Sequence, residues 1–289
     1  KYFVGFKGVK TMSTKIGKDK KVLVLDLDGT LTNSQKEITD RTLDAIMKMQ
    51  EQGHKIVIAT GRPTPGAEPV AKKLKLDKFG GFIAAFNGGQ ITDCGTGEVI
   101  YQQTLPEDIV PKLFKLAEEL NIGLVSYDRT GIIAADRPDK YIDLEARINH
   151  LPVSYKKNII EYIDFPLNKC LGTAEPEVAP EKEQAFKERF GDRINVSRSE
   201  PFFIEITPKG IDKAASLEHL CEIIGSSREN MIACGDGFND ISMIKYAGVG
   251  VAMANAQEEV KAVADYITAS NDEDGVAQVI YEMILKEND

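Results

Sequence analysis

The stretch "VLVLDLDGTLT", residues 22–32, places four apolar residues directly before two aspartates, Asp26 and Asp28. Short, continuous apolar runs rich in branched residues are typical of strands buried on both faces of a parallel sheet. Two carboxylates at the end of such a strand need a compensating partner, because removing ions from water costs several kcal/mol each unless they are paired. The stretch therefore predicts a buried strand with a functional site at its carboxyl end.

Two later apolar runs repeat this arrangement. "KIVIA", residues 55–59, is followed by "TGR", residues 60–62, and "NMIAC", residues 230–234, is followed by "GDGFND", residues 235–240. Amphipathic helical patterns lie between and after these runs. Alternating strands and helices predict a doubly wound, Rossmann-like α/β core with a parallel sheet, whose ligands bind beyond the carboxyl ends of the strands.

The middle third of the chain has a different pattern. It combines helical stretches with a predicted hairpin, "GLVSYDRTGIIAAD", and none of its apolar runs ends in an acidic motif. We therefore expect a second α/β domain, residues 89–199, inserted into a core formed by residues 20–88 and 200–289. Residues 1–19 are expected to be a leader or tail outside the core.

Composition excludes several classes of function. The 289 residues carry a formal charge of −9, which argues against nucleic-acid and anionic-membrane partners. No apolar run approaches the ~20 residues that span a bilayer, and the N-terminal stretch lacks a signal-peptide pattern. The four cysteines show no metal-ligand spacing, which fits a reducing compartment, so a cytoplasmic location is expected. A phosphorylated small molecule stays compatible with the charge, because a bound metal can reverse the local field.

Four aspartates are the main candidates for chemistry: Asp26, Asp28, Asp236 and Asp240. They would converge if the three apolar runs are neighbouring strands. A hard divalent cation is the simplest compensation for crowded carboxylates, and ligands with oxygen alone indicate Mg²⁺ rather than zinc. The alternative is that each aspartate only caps a helix or a turn.

Each of three other side chains has a structural and a functional interpretation. Thr60 is a good helix N-cap, and a hydroxyl with free N–H groups is also an anion site. Lys213 opens a predicted helix, where a cation opposes the helix dipole, so it is either solvated or placed to neutralise a phosphate or carboxylate. Arg62 is either solvated or in contact with substrate or with the second domain. The three histidines lie away from the strand ends, which argues against histidine catalysis.

This inventory suits phosphoryl transfer. The metal, Lys213 and Thr60 would neutralise phosphoryl oxygens, and Asp26 could attack phosphorus to form an acyl phosphate. Asp28 could protonate the leaving alkoxide, provided that its surroundings raise its pKa above the ~3.9 of a free aspartate.

The motifs "DLDGTLT", "TGR", Lys213 and "GDGFND" resemble, in order, the four motifs of the haloacid dehalogenase-like phosphatase superfamily. The size and position of the insertion resemble the type-IIB cap of the Cof-like sugar phosphatases. "FNGGQI", which contains Asn87, and "VGVAMANA" resemble stretches of that branch. Dehalogenation itself is disfavoured, because the second aspartate and the metal site belong to the phosphotransferase branch.

The resemblance implies a role for each matching residue. Asp26 would be the nucleophile and a Mg²⁺ ligand, and Asp28 the acid/base that binds the metal through its backbone carbonyl. Lys213 would stabilise Asp26. The resemblance also implies a metal ligand at Asp236, a ligand or its partner at Asp240, phosphate contacts at Thr60, Gly61 and Asn239, and substrate contacts at Arg62 and Asn87.

Three functions follow from these features. The first is a Mg²⁺-dependent phosphatase of small phosphorylated metabolites such as sugar phosphates. The second is a phosphotransferase or mutase of the phosphomannomutase type, which shares the motifs and the cap type. The third is a binding or regulatory module that keeps the metal site without turnover.

Overall fold

A computed structural model of the chain describes residues 16–17 and 19–286, so most of the predicted leader, residues 1–15 and 18, lies outside the described residues. The described residues form fourteen strands: β1 (Val22–Leu25), β2 (Lys55–Ala59), β3 (Phe82–Ala85), β4 (Gln90–Asp93), β5 (Val99–Gln102), β6 (Gly123–Tyr127), β7 (Ile132–Ala135), β8 (Val153–Lys156), β9 (Cys170–Thr173), β10 (Ile194–Glu200), β11 (Phe203–Pro208), β12 (Met231–Gly235), β13 (Val249–Ala252) and β14 (Tyr266–Ile267).

Helices alternate with these strands, as the sequence pattern predicts. The described α-helices are α1 (Asp40–Glu51), α2 (Thr64–Lys73), α3 (Leu76–Phe79), α4 (Val110–Glu119), α5 (Lys140–Asn149), α6 (Ile159–Tyr162), α7 (Ala179–Phe190), α8 (Lys213–Ile224), α9 (Ile241–Tyr246), α10 (Glu258–Lys261) and α11 (Gly275–Val279). A π-helix, Ile280–Leu285, continues α11.

The larger sheet has eight strands in the order β14-β13-β12-β1-β2-β3-β4-β5. The strands from β14 to β3 are parallel, and β1 lies between β12 and β2, so the three apolar runs of the sequence are neighbours. Leu23 pairs with Ile232 on one side and with Ile56 on the other. All four residues of β1 are fully buried, as a strand covered on both faces requires. The prediction of a doubly wound parallel core is confirmed.

The smaller sheet has six strands in the order β10-β11-β9-β6-β7-β8. Its strands β6 and β7 form the predicted hairpin. Side chains alternate between its faces: Leu124 and Ile204 join a separate apolar cluster with α4 and α7, whereas Val125 and Leu171 join the cluster of the larger sheet. One face of the smaller sheet is therefore turned toward the larger sheet.

Strand pairing differs from the predicted division at residues 89 and 199. β4 and β5 extend the larger sheet as antiparallel strands, and β11 belongs to the smaller sheet, which therefore runs from Gly123 to Pro208. The chain reverses directly after β3 at Asn87 (φ 55°) and Gly88 (φ 94°), so β4 returns alongside β3. Sequence pattern does not reveal this reversal, because an edge hairpin resembles the hairpins of the insertion.

The described part of the chain contains no helix with the length and apolar character needed to cross a membrane.

Candidate active site

The carboxyl ends of β1, β2 and β12 meet at one edge of the larger sheet. Asp26 follows β1 and donates its backbone N–H to the Cys234 carbonyl oxygen at 3.1 Å, which ties the end of β1 to β12. Thr60 follows β2, and Asp236 follows β12. All three side chains line one cavity of about 280 Å³, here called the strand-end cavity. The remaining lining residues are Asp28, Gly61, Arg62, Pro63, Glu145, Ile148, Asn149, Lys169, Gly237, Asn239 and Asp240.

Lys213 joins two of the acidic side chains beneath this cavity. It is the first residue of α8, whose N-cap, Asp212, accepts a hydrogen bond from the N–H of Ala215. The Lys213 Nζ lies 2.6 Å from Asp26 Oδ1 and 2.5 Å from Asp240 Oδ1, and its side chain is completely buried. The interpretation of Lys213 as a solvated lysine is therefore wrong.

Burial and charge act against each other in this group. Burial lowers the pKa of Lys213, but the carboxylates of Asp26 and Asp240 outweigh that effect and raise it above its ordinary value. Burial raises the pKa of Asp26, Lys213 opposes that rise, and the negative charges of Asp240 and Asp236 add to it. One ammonium thus faces more carboxylates than it can neutralise.

Asp236 and Asp240 are fixed by the loop that follows β12. Thr30 Oγ1 donates to Asp236 Oδ1 at 2.8 Å. Asp240 Oδ2 accepts from the N–H groups of Asp236 (3.0 Å) and Gly237 (2.9 Å), so Asp240 shapes the turn while its other oxygen contacts Lys213. Carboxylate oxygens of Asp26, Asp236 and Asp240 lie within 4.8 Å of one another, close enough to share a cation.

Asp28 lies at the same cavity, but its side chain is outside that cluster. Arg62 donates Nε to Asp28 Oδ2 and Nη2 to Oδ1, both at 2.7 Å, and Lys36 Nζ donates to Oδ1 at 2.8 Å. Burial raises the pKa of Asp28, but hydrogen bonds from the two cations outweigh burial, so the pKa lies below its ordinary value. The expectation of a raised pKa for Asp28 is wrong for this arrangement, because the sequence gives no sign that Arg62 and Lys36 reach it.

The other predicted residues surround Thr60, which is buried. The hydroxyl of Thr60 accepts a hydrogen bond from the N–H of Arg62 at 3.1 Å. The backbone carbonyl oxygen of Thr60 accepts one from the N–H of Asn87 at 2.9 Å. Asn239 Nδ2 donates to Asn87 Oδ1 at 3.0 Å, so Asn87 braces the cavity wall behind Gly61. The N-cap of α2 is Pro63, so the interpretation of Thr60 as a helix cap is wrong.

Sequence analysis missed the side of the cavity that comes from the smaller sheet and α5. Glu145, Ile148 and Asn149 of α5, and Lys169 before β9, line the same cavity as the aspartates. One signal was available: Glu145 and Asn149 occupy positions i+3 and i+7 from the buried Ile142, on the face where a helix normally carries apolar residues. Lys169 has no comparable signal.

Comparisons with known proteins show the family to which the chain belongs. The haloacid dehalogenase-like hydrolase family matches residues 23–280. The chain is 32% identical to a 5-amino-6-(5-phospho-D-ribitylamino)uracil phosphatase of Bacillus subtilis (strain 168), over 92% of this chain and 97% of the relative.

Solved structures extend the similarity to the whole fold. A haloacid dehalogenase-like hydrolase from Bacteroides thetaiotaomicron is 46% identical, with a TM-score of 0.88 over 92% of this chain and all of that one. A sugar phosphatase of HAD subclass IIB is 26% identical, with a TM-score of 0.74 over 91% of this chain and 98% of that one. The chain therefore belongs to the family of haloacid dehalogenase-like hydrolases, as one of its phosphatases.

Proposed function

We propose that the chain is a Mg²⁺-dependent phosphatase of small phosphorylated metabolites, such as sugar phosphates, that works through an acyl phosphate on Asp26. The observation that carries this proposal is the buried contact of Lys213 Nζ with Asp26 Oδ1 and Asp240 Oδ1 at the edge of the strand-end cavity. A lysine in that position holds Asp26 in place, and it offsets negative charge on the phosphoryl group that is transferred to Asp26.

The residues present fit a magnesium ion. The cluster of Asp26, Asp236 and Asp240 offers only oxygen ligands, and a hard cation relieves the repulsion that one lysine leaves uncompensated. We assign the ion to Asp26, Asp236 and the backbone carbonyl of Asp28. Both oxygens of Asp240 already accept hydrogen bonds, so we assign Asp240 to orienting Lys213. When bound, Mg²⁺ supplies charge neutralisation at the phosphoryl oxygens.

The reaction follows from the chain's own groups. Asp26 Oδ2, which accepts no hydrogen bond from any described residue, attacks phosphorus while the bond from phosphorus to the ester oxygen breaks. Asp28 gives its proton to the leaving alkoxide. Asp28 then takes a proton from a water molecule that attacks the same phosphorus, which releases inorganic phosphate and restores Asp26.

Arg62 and Lys36 hold Asp28 as a carboxylate in the structure described above, which suits the second half of this reaction. For the first half, Asp28 needs a proton. An incoming phosphoryl group is a competing anion for Arg62, and we infer that its arrival weakens the contact with Asp28 and raises the pKa of that carboxyl group. Thr60, Gly61 and Asn239 are assigned to the phosphoryl oxygens, and Asn87 to support of that wall.

We also infer that the smaller sheet and its helices, α4 to α7, act as a cap over the strand-end cavity, with residues 20–102 and the chain after residue 208 as the core. The contribution of Glu145 and Lys169 to the cavity lining supports this division.

The test is Asp26→Asn with glucose 6-phosphate as substrate and release of inorganic phosphate as the readout. We expect no measurable turnover from a variant that still unfolds in one cooperative thermal transition, because the amide keeps the shape but not the nucleophile and Asp240 still pairs with Lys213. The matched control is Asp77→Asn on the exposed side of α3, which should keep full activity. Retained turnover in Asp26→Asn would remove Asp26 as the nucleophile, and a wild-type protein that binds phosphate esters without hydrolysing them would support a binding module instead.

A further inference from the structure

The face of the smaller sheet that is turned toward the core carries charges where apolar residues would be expected. Val125, Leu171 and Phe203 belong to the apolar cluster of the core. Each lies two residues along the chain from a polar residue, respectively Tyr127, Lys169 and Glu205. Because residues two apart along a strand share a face, all six lie on the face turned toward the core. Lys169 is 6% exposed, and Glu145 on the adjacent α5 is also 6% exposed. Charged side chains are rarely buried this far unless they have a partner or a task.

The two carboxylate oxygens of Glu145 differ in their hydrogen bonds. Its Oε1 accepts from the Tyr127 hydroxyl at 2.6 Å and from Asn149 Nδ2 at 2.8 Å. Burial and the Glu145 carboxylate raise the pKa of Tyr127, which keeps that hydroxyl a donor. Glu145 Oε2 accepts no hydrogen bond from any residue that the structure describes, and the side chain lines the strand-end cavity. The carboxylate is thus oriented by two donors, with its second oxygen available.

Lys169 is held in a comparable way. Its Nζ donates to Glu205 Oε1 at 2.6 Å and to no other acceptor among the described residues. An ammonium has three donors, so two N–H groups stay available. The hydroxyl of Ser126 donates to the Lys169 carbonyl oxygen at 2.7 Å, which fixes the backbone of Lys169 against β6. The part of the cavity lining that comes from α5 and the smaller sheet therefore presents an acceptor and a donor.

We propose that Glu145 and Lys169 select the substrate by binding hydroxyl groups of an uncharged, polyhydroxylated leaving group, with Tyr127, Asn149 and Glu205 as positioning residues. This inference rests on the proposed phosphatase function. A hydroxyl group both donates and accepts, so neighbouring hydroxyls satisfy the Glu145 oxygen and the Lys169 ammonium together.

Charge and size narrow the class of leaving group. Glu145, Lys169 and Glu205 together carry one net negative charge, which disfavours a leaving group with its own carboxylate or second phosphate. The cavity of about 280 Å³ lies just below the ~300–1,000 Å³ that is usual for small-molecule sites, so the leaving group is no larger than a monosaccharide.

The experiment compares kcat/KM for three probes: glucose 6-phosphate, 3-phosphoglycerate and acetyl phosphate. Wild-type protein should prefer glucose 6-phosphate to 3-phosphoglycerate at least tenfold. In Glu145→Gln and in Lys169→Met, the ratio of kcat/KM for glucose 6-phosphate to that for acetyl phosphate should fall about tenfold to hundredfold, since a hydrogen bond to a charged group is lost. Dividing by the acetyl phosphate value removes any general loss of catalysis.

Two further variants test whether the fall in the ratio comes from an unpaired glutamate or from the loss of any lysine–glutamate pair. Lys169→Met leaves Glu205 without the lysine that pairs with it, so the double variant Lys169→Met/Glu205→Gln restores the wild-type net charge and should show the same fall in the ratio. Lys187→Met breaks a similar pair with Glu183 on α7, among residues that do not line the cavity, and should keep the wild-type ratio.

The outcomes separate this inference from the proposed function. Hydrolysis of all three probes with a ratio that the cavity variants leave unchanged overturns the inference alone, as does a wild-type preference for 3-phosphoglycerate. Absence of phosphate release from every probe contradicts the phosphatase proposal, and the inference falls with it.

Discussion

Lys213 shows at the scale of one residue how the site depends on a buried charge. Its ammonium is the cation of the described structure that contacts both Asp26 and Asp240, and all three side chains are nearly or fully buried. Removing one partner of a buried ion pair leaves an uncompensated charge, which costs more than a lost contact on the surface.

We therefore expect Lys213→Met to lower the free energy of unfolding by about 3–5 kcal/mol in metal-free buffer and to abolish turnover. Urea denaturation followed by circular dichroism measures the first effect. The double variant Lys213→Met/Asp240→Asn should recover part of the stability but none of the activity, because it removes a repelling carboxylate without restoring the ammonium. Equal stability of Lys213→Met and wild type would contradict the description of this group as a buried ion pair.

Gly29 is a second residue whose role is geometric. Its φ of +90° lies in the left-handed region, and a Cβ there would overlap the carboxylate of Asp236. Gly97 has a φ of +73°, but a Cβ at Gly97 would meet nothing within 4 Å, which makes it a matched control.

Both Gly29→Ala and Gly97→Ala should lose about 1–2 kcal/mol of stability, because a side chain disfavours this backbone conformation. Only Gly29→Ala should raise the Mg²⁺ concentration for half-maximal activity, by about tenfold or more, since it displaces Asp236. Titration of phosphate release with MgCl₂ measures the difference. The same Mg²⁺ midpoint in the two variants would exclude a steric effect at Asp236.

At the scale of elements, the two ends of the parallel strands in the larger sheet carry different groups. The carboxyl ends carry the candidate site, whereas the amino ends of β1 and β2 meet where the N–H of Lys21 donates to His54 Nδ1 at 2.9 Å. Burial, with the neighbouring Lys20, lowers the pKa of His54 below its ordinary value of 6.5. The folded protein thus holds a neutral imidazole at this junction.

This junction gives a dependence of stability on pH. The unfolded chain binds a proton at His54 more readily than the folded one, so the contribution of His54 is present above pH 6.5 and is lost as the pH falls through the folded-state pKa. His54→Asn keeps an acceptor but does not titrate, and it should lose less stability than wild type between pH 7.5 and pH 5.5 in urea denaturation. Equal losses would show that His54 is not the titrating group.

At the scale of the whole molecule, the fold brings Asp26 together with Asp236 and Asp240, which follow it by more than 200 residues in the sequence. Their mutual repulsion opposes folding unless a cation is bound, and a ligand that binds only the folded state stabilises it by mass action.

Mg²⁺ at 100 times its dissociation constant should therefore raise stability by about 2.7 kcal/mol and Tm by several degrees relative to protein in EDTA. Differential scanning calorimetry measures the shift without any reliance on activity. In Asp236→Asn the shift should shrink or vanish because a ligand is lost. A wild-type Tm that is the same in EDTA and in Mg²⁺ would count against the metal assignment.

The sequence by itself determined the doubly wound core and the candidate residues at its strand ends. Apolar strands buried on both faces, followed by polar residues, are local patterns that one chain segment displays on its own. The positions of Asp26, Thr60 and Asp236 at one sheet edge follow from that pattern and from the rule that parallel strands share their carboxyl ends.

Only the tertiary structure decided which charges meet across long sequence separations. The contact of Arg62 and Lys36 with Asp28, the reversal at Asn87 that joins β4 to the larger sheet, and the approach of Glu145 and Lys169 to the cavity leave little or no local signal. Each depends on how packed elements bring distant side chains together. The position of the candidate site thus follows from local strand patterns, whereas packing decides the contacts of the groups that we assign to protonation and substrate choice.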